Sequence, residues 1–287
     1  MNAPPPAPDV PTAVAVSPHL DDAVFSAGGI LALLARAGWR VRVVTCFTAS
    51  VDDPGPFALS TQLDKGLAAD VDYMALRRAE DRAAQRALGT SAPVHLPLPE
   101  APHRGYGSAP ELFTPPHPDD PAGTELPRLL APHLAAADLV LAPLGIGDHV
   151  DHLLTARAVA ATVPYARVGR WRDVPYIARA AVRAADRDEA GAAAELTADI
   201  GAVLTAKTAA ARCYATQLGF QFGGSGRTGE VLSAVARSEA ARAGAPYVHG
   251  ETLQAGETAR RLLRAGLFAA CRYGRYGRYE RMERRIT

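Results

Sequence analysis

The chain carries the sequence VAVSPHLDD at residues 14–22, and this stretch decides which fold is expected. Its first four residues form a mainly apolar run that is typical of a buried parallel strand. The run leads into one imidazole and two adjacent carboxylates. A second apolar run, at residues 139–144, leads into DHVDH at residues 148–152. Two strand ends that carry histidine and aspartate predict a mononuclear metal site of the kind used in metal-assisted hydrolysis.

Strand and helix patterns alternate along the first half of the chain. The patterns predict strands at 12–17, 41–47, 94–98 and 138–144, and helices at 22–37, 73–88, 126–136 and 151–162. This order predicts an α/β, Rossmann-like fold, with a mostly parallel sheet and helices on both faces. The last third is less clearly patterned, and helices are expected there at 205–217, 229–243 and 257–271.

The length of 287 residues favours a single α/β hydrolase domain, at residues 12–271. Residues 1–11 are proline-rich and are expected to be a disordered tail. Residues 272–287 form a basic and aromatic tail. Two long irregular segments, 49–72 and 99–125, each follow a predicted strand. They should therefore border the ligand crevice at the carboxyl ends of the strands.

The composition favours some partners over others. A net charge of +1 gives no general attraction to nucleic acid or to an anionic membrane. The Arg and Tyr repeat of the C-terminal tail could stack on nucleic acid, but a solvated end or a contact between copies of the chain is favoured. The oligomeric state stays open, and a homo-oligomer is one of the alternatives. No apolar run approaches the ~18 residues of a membrane span. Cys46, Cys213 and Cys271 predict no disulfide framework and suit a reducing cytoplasm.

The spacing of the polar residues at the two strand ends suggests which of them bind the metal. His19 and Asp22 are three residues apart, and so are His149 and His152. Such pairs at a strand-to-helix turn point to one side. We predict that His19, Asp22 and His152 hold one Zn²⁺, with Fe²⁺ as the alternative, and leave a position for water.

The remaining polar residues of the two motifs receive catalytic roles. Asp21 diverges from its neighbour Asp22, so it is free to act as general base on the metal-bound water. His149, as a cation or as a hydrogen-bond donor, would stabilise the oxyanion. Asp151 would orient one of the imidazoles.

The first motif also has a non-catalytic interpretation, and a second sequence resembles it. Asp21 and Asp22 could simply cap the helix that follows them. The sequence PHPDD at residues 116–120 resembles the first motif, but no apolar strand precedes it and Pro121-Ala122-Gly123 is a poor helix start. We expect a loop there, with His117 as a candidate substrate contact.

The two motifs resemble those of the PIG-L/LmbE-like family of metal-dependent N-deacetylases. The first family motif, an apolar strand followed by His-Pro-Asp-Asp and a helix with a glycine pair, matches residues 18–22 and Gly28-Gly29, with Leu20 where proline is usual. The family's His-x-Asp-His motif matches residues 149–152. Some relatives place a tyrosine where this chain has Gly147, so the oxyanion role would fall more heavily on His149.

Three further segments carry the resemblance and suggest substrate-binding residues. The family's Arg-x-x-Glu motif matches Arg77 and Glu80, which implies that Arg77 lies near the substrate pocket with Glu80 supporting it. A family strand end that reaches the substrate matches Glu100 and Arg104. The helical stretch 207–217 also resembles a family segment near the site.

The resemblance implies a zinc-dependent N-deacetylase that hydrolyses the N-acetyl amide of an amino sugar or of a metabolite containing one. Secondary metabolism or a thiol-cofactor pathway would supply such a substrate. One alternative is an amidase that removes a larger acyl group or cleaves a thiol conjugate. A second alternative is a protein that binds a sugar or a partner without turnover and uses the metal structurally, which would normally require four protein ligands.

Overall fold

The computed structural model describes residues 10–178, 194–267 and 269–270. In these ranges the strands are β1 (Thr12–Ser17), β2 (Arg40–Phe47), β3 (Val94–Leu98), β4 (Leu139–Pro143), β5 (Val168–Trp171), β6 (Glu195–Asp199) and β7 (Gly250–Ala255). The helices are α1 (Asp22–Arg36), α2 (Pro56–Leu63), α3 (Tyr73–Leu88), α4 (Ala122–Leu134), α5 (Val150–Thr162), α6 (Leu204–Ala211), α7 (Ala215–Phe222) and α8 (Ser225–Arg242). Residues 257–267 and 269–270 are also helical.

The seven strands form one sheet in the order β3-β2-β1-β4-β5-β7-β6. The first five strands in this order pair in parallel, whereas β7 pairs antiparallel with both β5 and β6. Helices cover both faces, with α1, α3 and α6 packed together on one side and α4 and α5 on the other. The predicted α/β fold with a mostly parallel sheet is therefore confirmed. Because β1 and β4 are neighbours, the two ligand-bearing strand ends lie side by side.

The glycine pair of α1 has a packing reason. A Cβ atom on Gly29 would lie 2.6 Å from Cγ2 of Ile200 and 2.8 Å from Oε1 of Glu251. The Glu251 carboxylate accepts hydrogen bonds from the backbone N–H groups of Gly29 and Ile30 and from Lys207 Nζ at 2.7 Å. The pair therefore lets β7 approach the middle of α1 closely.

The structure corrects three local expectations. The segment 49–72 is not wholly irregular, because α2 lies within it. The single helix expected at 205–217 is two helices, α6 and α7, with Arg212, Cys213 and Tyr214 between them. Helix α4 begins at Ala122, four residues before the start expected at residue 126.

Three other expectations concern membrane spans, the cysteines and the two tails. None of the helices in the described ranges is long and apolar enough to span a bilayer. Cys46 and Cys213 are free thiols. Residues 1–9 of the N-terminal tail, Cys271 and the C-terminal tail 272–287 lie outside the described residues.

Candidate metal centre

The three predicted metal ligands meet at one oxygen atom. Oδ2 of Asp22 lies 3.2 Å from Nδ1 of His19 and 3.3 Å from Nε2 of His152. Asp22 begins α1, whereas His152 lies in the first turn of α5. The adjacency of β1 and β4 is what brings these two helix starts together. The three side chains form a group that could hold one ion.

The chemistry of this group fits a divalent cation. Nε2 of His152 is buried and forms no hydrogen bond within the described part of the chain. Although burial opposes the charged forms, the His152 imidazole holds the pKa of Asp22 well below its usual range, and Asp22 and Asp173 raise the pKa of His152 to about 9. Two carboxylates, those of Asp22 and Asp173, thus lie against the His152 imidazole, and a divalent cation would neutralise their negative charge. Two imidazoles and one carboxylate suit zinc and iron(II) alike.

Each ligand imidazole is held from behind by a buried carboxylate. Nε2 of His19 lies 2.9 Å from Oδ2 of Asp151, and Nδ1 of His152 lies 2.8 Å from Oδ1 of Asp173. These contacts assign the ring proton to the rear nitrogen, so that the front nitrogen presents a lone pair towards Asp22. Asp151 thus has the orienting position that the sequence suggested.

Asp173 was missed by the sequence analysis. Its second oxygen, Oδ2, accepts hydrogen bonds from the backbone N–H groups of Gly145 and Ile146, both at 2.9 Å. The same side chain therefore fixes His152 and the loop after β4. Its position two residues after the end of β5 could have indicated a role at the carboxyl edge of the sheet, but β5 itself was not predicted.

Asp21 lies beside the metal group and not within it. Its side chain makes no capping hydrogen bond to α1, so the interpretation of Asp21 as a helix cap fails. Burial and the adjacent Asp22 carboxylate raise the pKa of Asp21 to about 7. Oδ2 of Asp21 is 3.5 Å from Nη2 of Arg77, its nearest cationic partner. These features suit a group that accepts and returns a proton.

Arg77 connects Asp21 to a cleft at the edge of the sheet. Its Nη1 atom forms an ion pair with Glu100, whose carboxylate lines a cleft of about 210 Å³. The other walls come from the segment 49–72, from the start of α3 and from Pro102 and His103. Glu80 does not support Arg77 as the resemblance implied. It accepts hydrogen bonds from Thr216 instead, at 2.8 and 2.7 Å.

His149 is a neutral hydrogen-bond donor and not a cation. Its Nδ1 atom accepts a hydrogen bond from the backbone N–H of Asp151 at 3.2 Å, which leaves the ring proton on Nε2. Burial, together with the nearby His19 imidazole, lowers the pKa of His149 to about 3. The rings of His149 and His19 are 5.0 Å apart, and the half-exposed Phe113 ring lies 5.4 Å from His149. The segment 99–125 therefore also borders the site.

The loop that carries His149 is tightly constrained. Gly147 has φ +94°, and a Cβ atom there would lie 2.5 Å from Cδ1 of Tyr176. The Tyr176 ring therefore fills the space beside Gly147, and its centroid is 5.4 Å from that of His152. Asp148, which follows, has a positive φ of 62°. This backbone turns sharply so that His149 can begin α5.

Arg104, expected to contact substrate, lies behind Asp151 instead. Its guanidinium group is buried and bonds to Asp151, to Asp120 and to the backbone carbonyl of Pro99. Asp120 belongs to the PHPDD sequence, and its Oδ1 accepts the N–H of Ala122 at the start of α4. Residues 116–120 form a loop, as expected, but α4 starts at Ala122 although Pro121-Ala122-Gly123 was expected to be a poor helix start, because proline is well tolerated at the beginning of a helix.

The histidine of the PHPDD sequence, His117, lies beside the same network. Its ring stacks on Tyr106 with the centroids 4.2 Å apart. A contact between His117 and substrate stays a prediction.

The fold and this site define an α/β protein with a candidate divalent-metal centre at the carboxyl edge of a mostly parallel sheet. The model of the PIG-L family, described as GlcNAc-PI de-N-acetylase, matches residues 14–163, which include both strand ends. The chain belongs to the PIG-L family.

Individual relatives carry more specific names. A 2'-N-acetylparomamine deacetylase from Streptomyces fradiae is 37% identical over 149 residues, which are 52% of this chain and 50% of the relative. The chain thus spans about half the length of the curated relative that it matches.

Solved structures resemble the chain over a larger share of its length. A zinc-inhibited form of teicoplanin deacetylase is 26% identical, with a TM-score of 0.70 over 84% of this chain and 96% of that one. An A40926 pseudoaglycone deacetylase is 27% identical, with a TM-score of 0.68 over 86% and 97%. A 4-carboxy-2-hydroxymuconate hydratase from Pseudomonas putida, at 20% identity and a TM-score of 0.54 over 85% of this chain and 95% of that one, shows a likeness of fold alone.

Proposed function

We propose that this protein is a metal-dependent N-deacetylase that hydrolyses the N-acetyl amide of an amino sugar on a secondary metabolite. The observation that carries the proposal is the placement of Asp21. It is a buried carboxylate with a raised pKa that adjoins the three-ligand group without belonging to it. A purely structural metal site would not need such a group, and three protein ligands leave a position for a reacting water.

The residues divide the reaction between them. His19, Asp22 and His152 would hold the cation, which lowers the pKa of a bound water and polarises a carbonyl when present. Asp21 takes a proton from the attacking water and returns it to the leaving nitrogen, so that the C–N bond breaks to give acetate and a free amine. The Nε2–H group of His149 donates to the carbonyl oxygen as negative charge develops there.

Arg77 and Glu100 are the residues that we propose for substrate recognition. Glu100 faces the cleft, and its ion pair with Arg77 places one charged network between the cleft and Asp21. A sugar hydroxyl or ammonium group that binds Glu100 would therefore lie close to the reacting centre. Zinc is the metal that we propose first, with iron(II) as the alternative.

The substrate class is supported by the names of the relatives. The relative from Streptomyces fradiae is named a deacetylase of 2'-N-acetylparomamine, and the solved structure a teicoplanin deacetylase. We extend to this chain the shared chemistry, an N-acylated amino sugar on a larger scaffold. Removal of a longer acyl group is the competing activity, and the half-exposed Phe113 ring beside His149 offers an apolar surface for such a chain.

The test is release of acid from a substrate panel by the purified protein loaded with Zn²⁺ or Fe²⁺. The panel contains N-acetylglucosamine, 2'-N-acetylparomamine and glucosamine with a long N-acyl chain. We expect acetate release that the Asp22→Ala variant lacks. Preference for the long chain would support the competing activity. Tight metal binding without turnover of any member would contradict deacetylation and favour the non-catalytic alternative.

A further inference from the structure

We propose that Arg104, held in place by Asp120, is a positioning residue for the metal ligand His19 and acts through Asp151. The inference rests on the proposed function, because it assumes that His19 binds a metal. It gives a role to Arg104, which was expected to contact substrate. It also gives a role to Asp120, which belongs to the PHPDD sequence at residues 116–120.

Arg104 is fixed on three sides. Its Nη2 atom lies 2.6 Å from Oδ1 of Asp151, and its Nε and Nη2 atoms lie 3.0 and 3.1 Å from the two oxygens of Asp120. Its Nη1 atom donates to the carbonyl of Pro99 at 2.6 Å, and the guanidinium carbon lies 4.4 Å from the centre of the Phe47 ring. A planar group that bonds to two carboxylates at once has little freedom to turn.

Asp151 transmits this constraint to the metal ligand. While Oδ1 contacts Arg104, Oδ2 lies 2.9 Å from Nε2 of His19 and accepts the N–H of Ala101 at 3.1 Å. Both oxygens are therefore engaged, and the carboxylate plane is set by Arg104 on one side and by Ala101 on the other. His19 must then direct Nδ1 towards Asp22, which is the orientation that metal binding requires.

The charge of Arg104 also matters, because Asp151 is fully buried. Oδ1 of Asp151 forms an ion pair with Nη2 of Arg104 at 2.6 Å. A carboxylate in such a pair accepts hydrogen bonds, so His19 is the donor through Nε2. A neutral side chain at position 104 would leave this carboxylate buried without its cation, which is costly.

Asp120 anchors the far end of the network. Its Oδ2 atom accepts a hydrogen bond from the hydroxyl of Tyr106 at 3.0 Å, and its Oδ1 atom accepts the N–H of Ala122. The chain of contacts thus runs from the first turn of α4 through Asp120, Arg104 and Asp151 to His19. The contacts are charge-assisted and buried, so the network is rigid.

The experiment measures binding of Co²⁺ to the full chain, using competition with a chelator and the d–d absorption bands of the bound ion. Arg104→Met and Asp120→Asn are the test variants, and Arg104→Lys keeps the charge without the planar fork. Arg242→Met is the matched control, since Arg242 also bonds to two carboxylates, Glu195 at 2.7 Å and Glu239 at 3.0 Å, but lies in α8.

We expect Arg104→Met to weaken Co²⁺ binding by about 10- to 100-fold and to shift the absorption bands, with Arg104→Lys intermediate. Asp120→Asn should weaken binding by less, and Arg242→Met should leave affinity and spectrum unchanged. If Arg104→Met does not fold, Arg104→Lys and Asp120→Asn carry the test.

Two results would overturn the inference. Wild-type affinity and spectrum in the folded variants of Arg104 and Asp120, with a deacetylating wild-type enzyme, would remove the positioning role and leave the proposed function intact. A wild-type protein that binds neither Co²⁺ nor Zn²⁺ would remove both. A lowered melting temperature with unchanged Co²⁺ binding would count with the first result, because it indicates a merely structural role.

Discussion

Nδ1 of His152 lies 2.8 Å from Oδ1 of Asp173, and both side chains are almost fully buried. This contact ties a candidate metal ligand in α5 to the loop that follows β5. It is the counterpart of the contact between His19 and Asp151 on the other side of the site. The centre is therefore built from two histidine–carboxylate pairs that flank Asp22.

Replacement of Asp173 by Ala should weaken metal binding and loosen the loop after β4. Metal affinity, measured by chelator competition, is expected to fall by about 10- to 100-fold because His152 loses its orienting partner. The free energy of unfolding in urea should fall by about 1–3 kcal/mol, since the buried N–H group of Gly145 and the partly buried one of Ile146 lose their acceptor. Unchanged metal affinity would show that His152 is oriented by its packing alone.

Replacement of Asp21 by Asn should remove proton transfer and leave the metal in place. We expect kcat to fall by about 10²- to 10⁴-fold because the amide cannot accept the proton of the attacking water. Metal content, measured by elemental analysis after gel filtration, should match that of the wild type. A variant that turns over at the wild-type rate would exclude Asp21 as the general base.

Replacement of His149 by Ala should act on the transition state more than on substrate binding. Loss of one donor to the developing oxyanion is expected to lower kcat by about 10²- to 10³-fold with little change in KM. His133→Ala is the control because His133 lies in the last turn of α4 and has no proposed role in binding or catalysis. Equal losses in the two variants would contradict the oxyanion role.

Replacement of Gly29 by Ala should destabilise the fold without touching the metal centre. The added methyl group would meet Ile200 and Glu251 at distances below 3 Å, so a loss of about 1–3 kcal/mol in the free energy of unfolding is expected. Gly219→Ala in α7 is the matched control, since nothing lies within 4 Å of its new Cβ atom and alanine favours a helix by about 1 kcal/mol. Similar changes in both variants would mean that the glycine pair has no packing role.

The parts of the fold that the sequence predicts are those in which one pattern dominates. Strands β1 and β3 and helix α3 were predicted with the bounds that the structure has, because continuous apolar runs or a clear helical period define them. Strands β5, β6 and β7 were missed. They are short and contain glycine or charged residues, and each forms an antiparallel pairing with a strand distant in sequence, which decides the structure.

The residues of the candidate site likewise divide into those that a local sequence pattern reveals and those that it does not. His19, Asp22 and His152 could be grouped because their spacing repeats at two strand ends that a parallel sheet brings together. Asp173 and Asp120 could not, since one follows an unpredicted strand and the other precedes a proline. Their importance depends on burial beside a distant histidine or arginine, which no local pattern reveals.

The close fit of Tyr176 against Gly147 has an evolutionary consequence. A side chain at position 147 and the aromatic ring at position 176 would occupy the same space. The two positions are therefore free to change only together. A homologue with a bulky residue at position 147 must therefore have a smaller residue, or a different backbone path, at position 176.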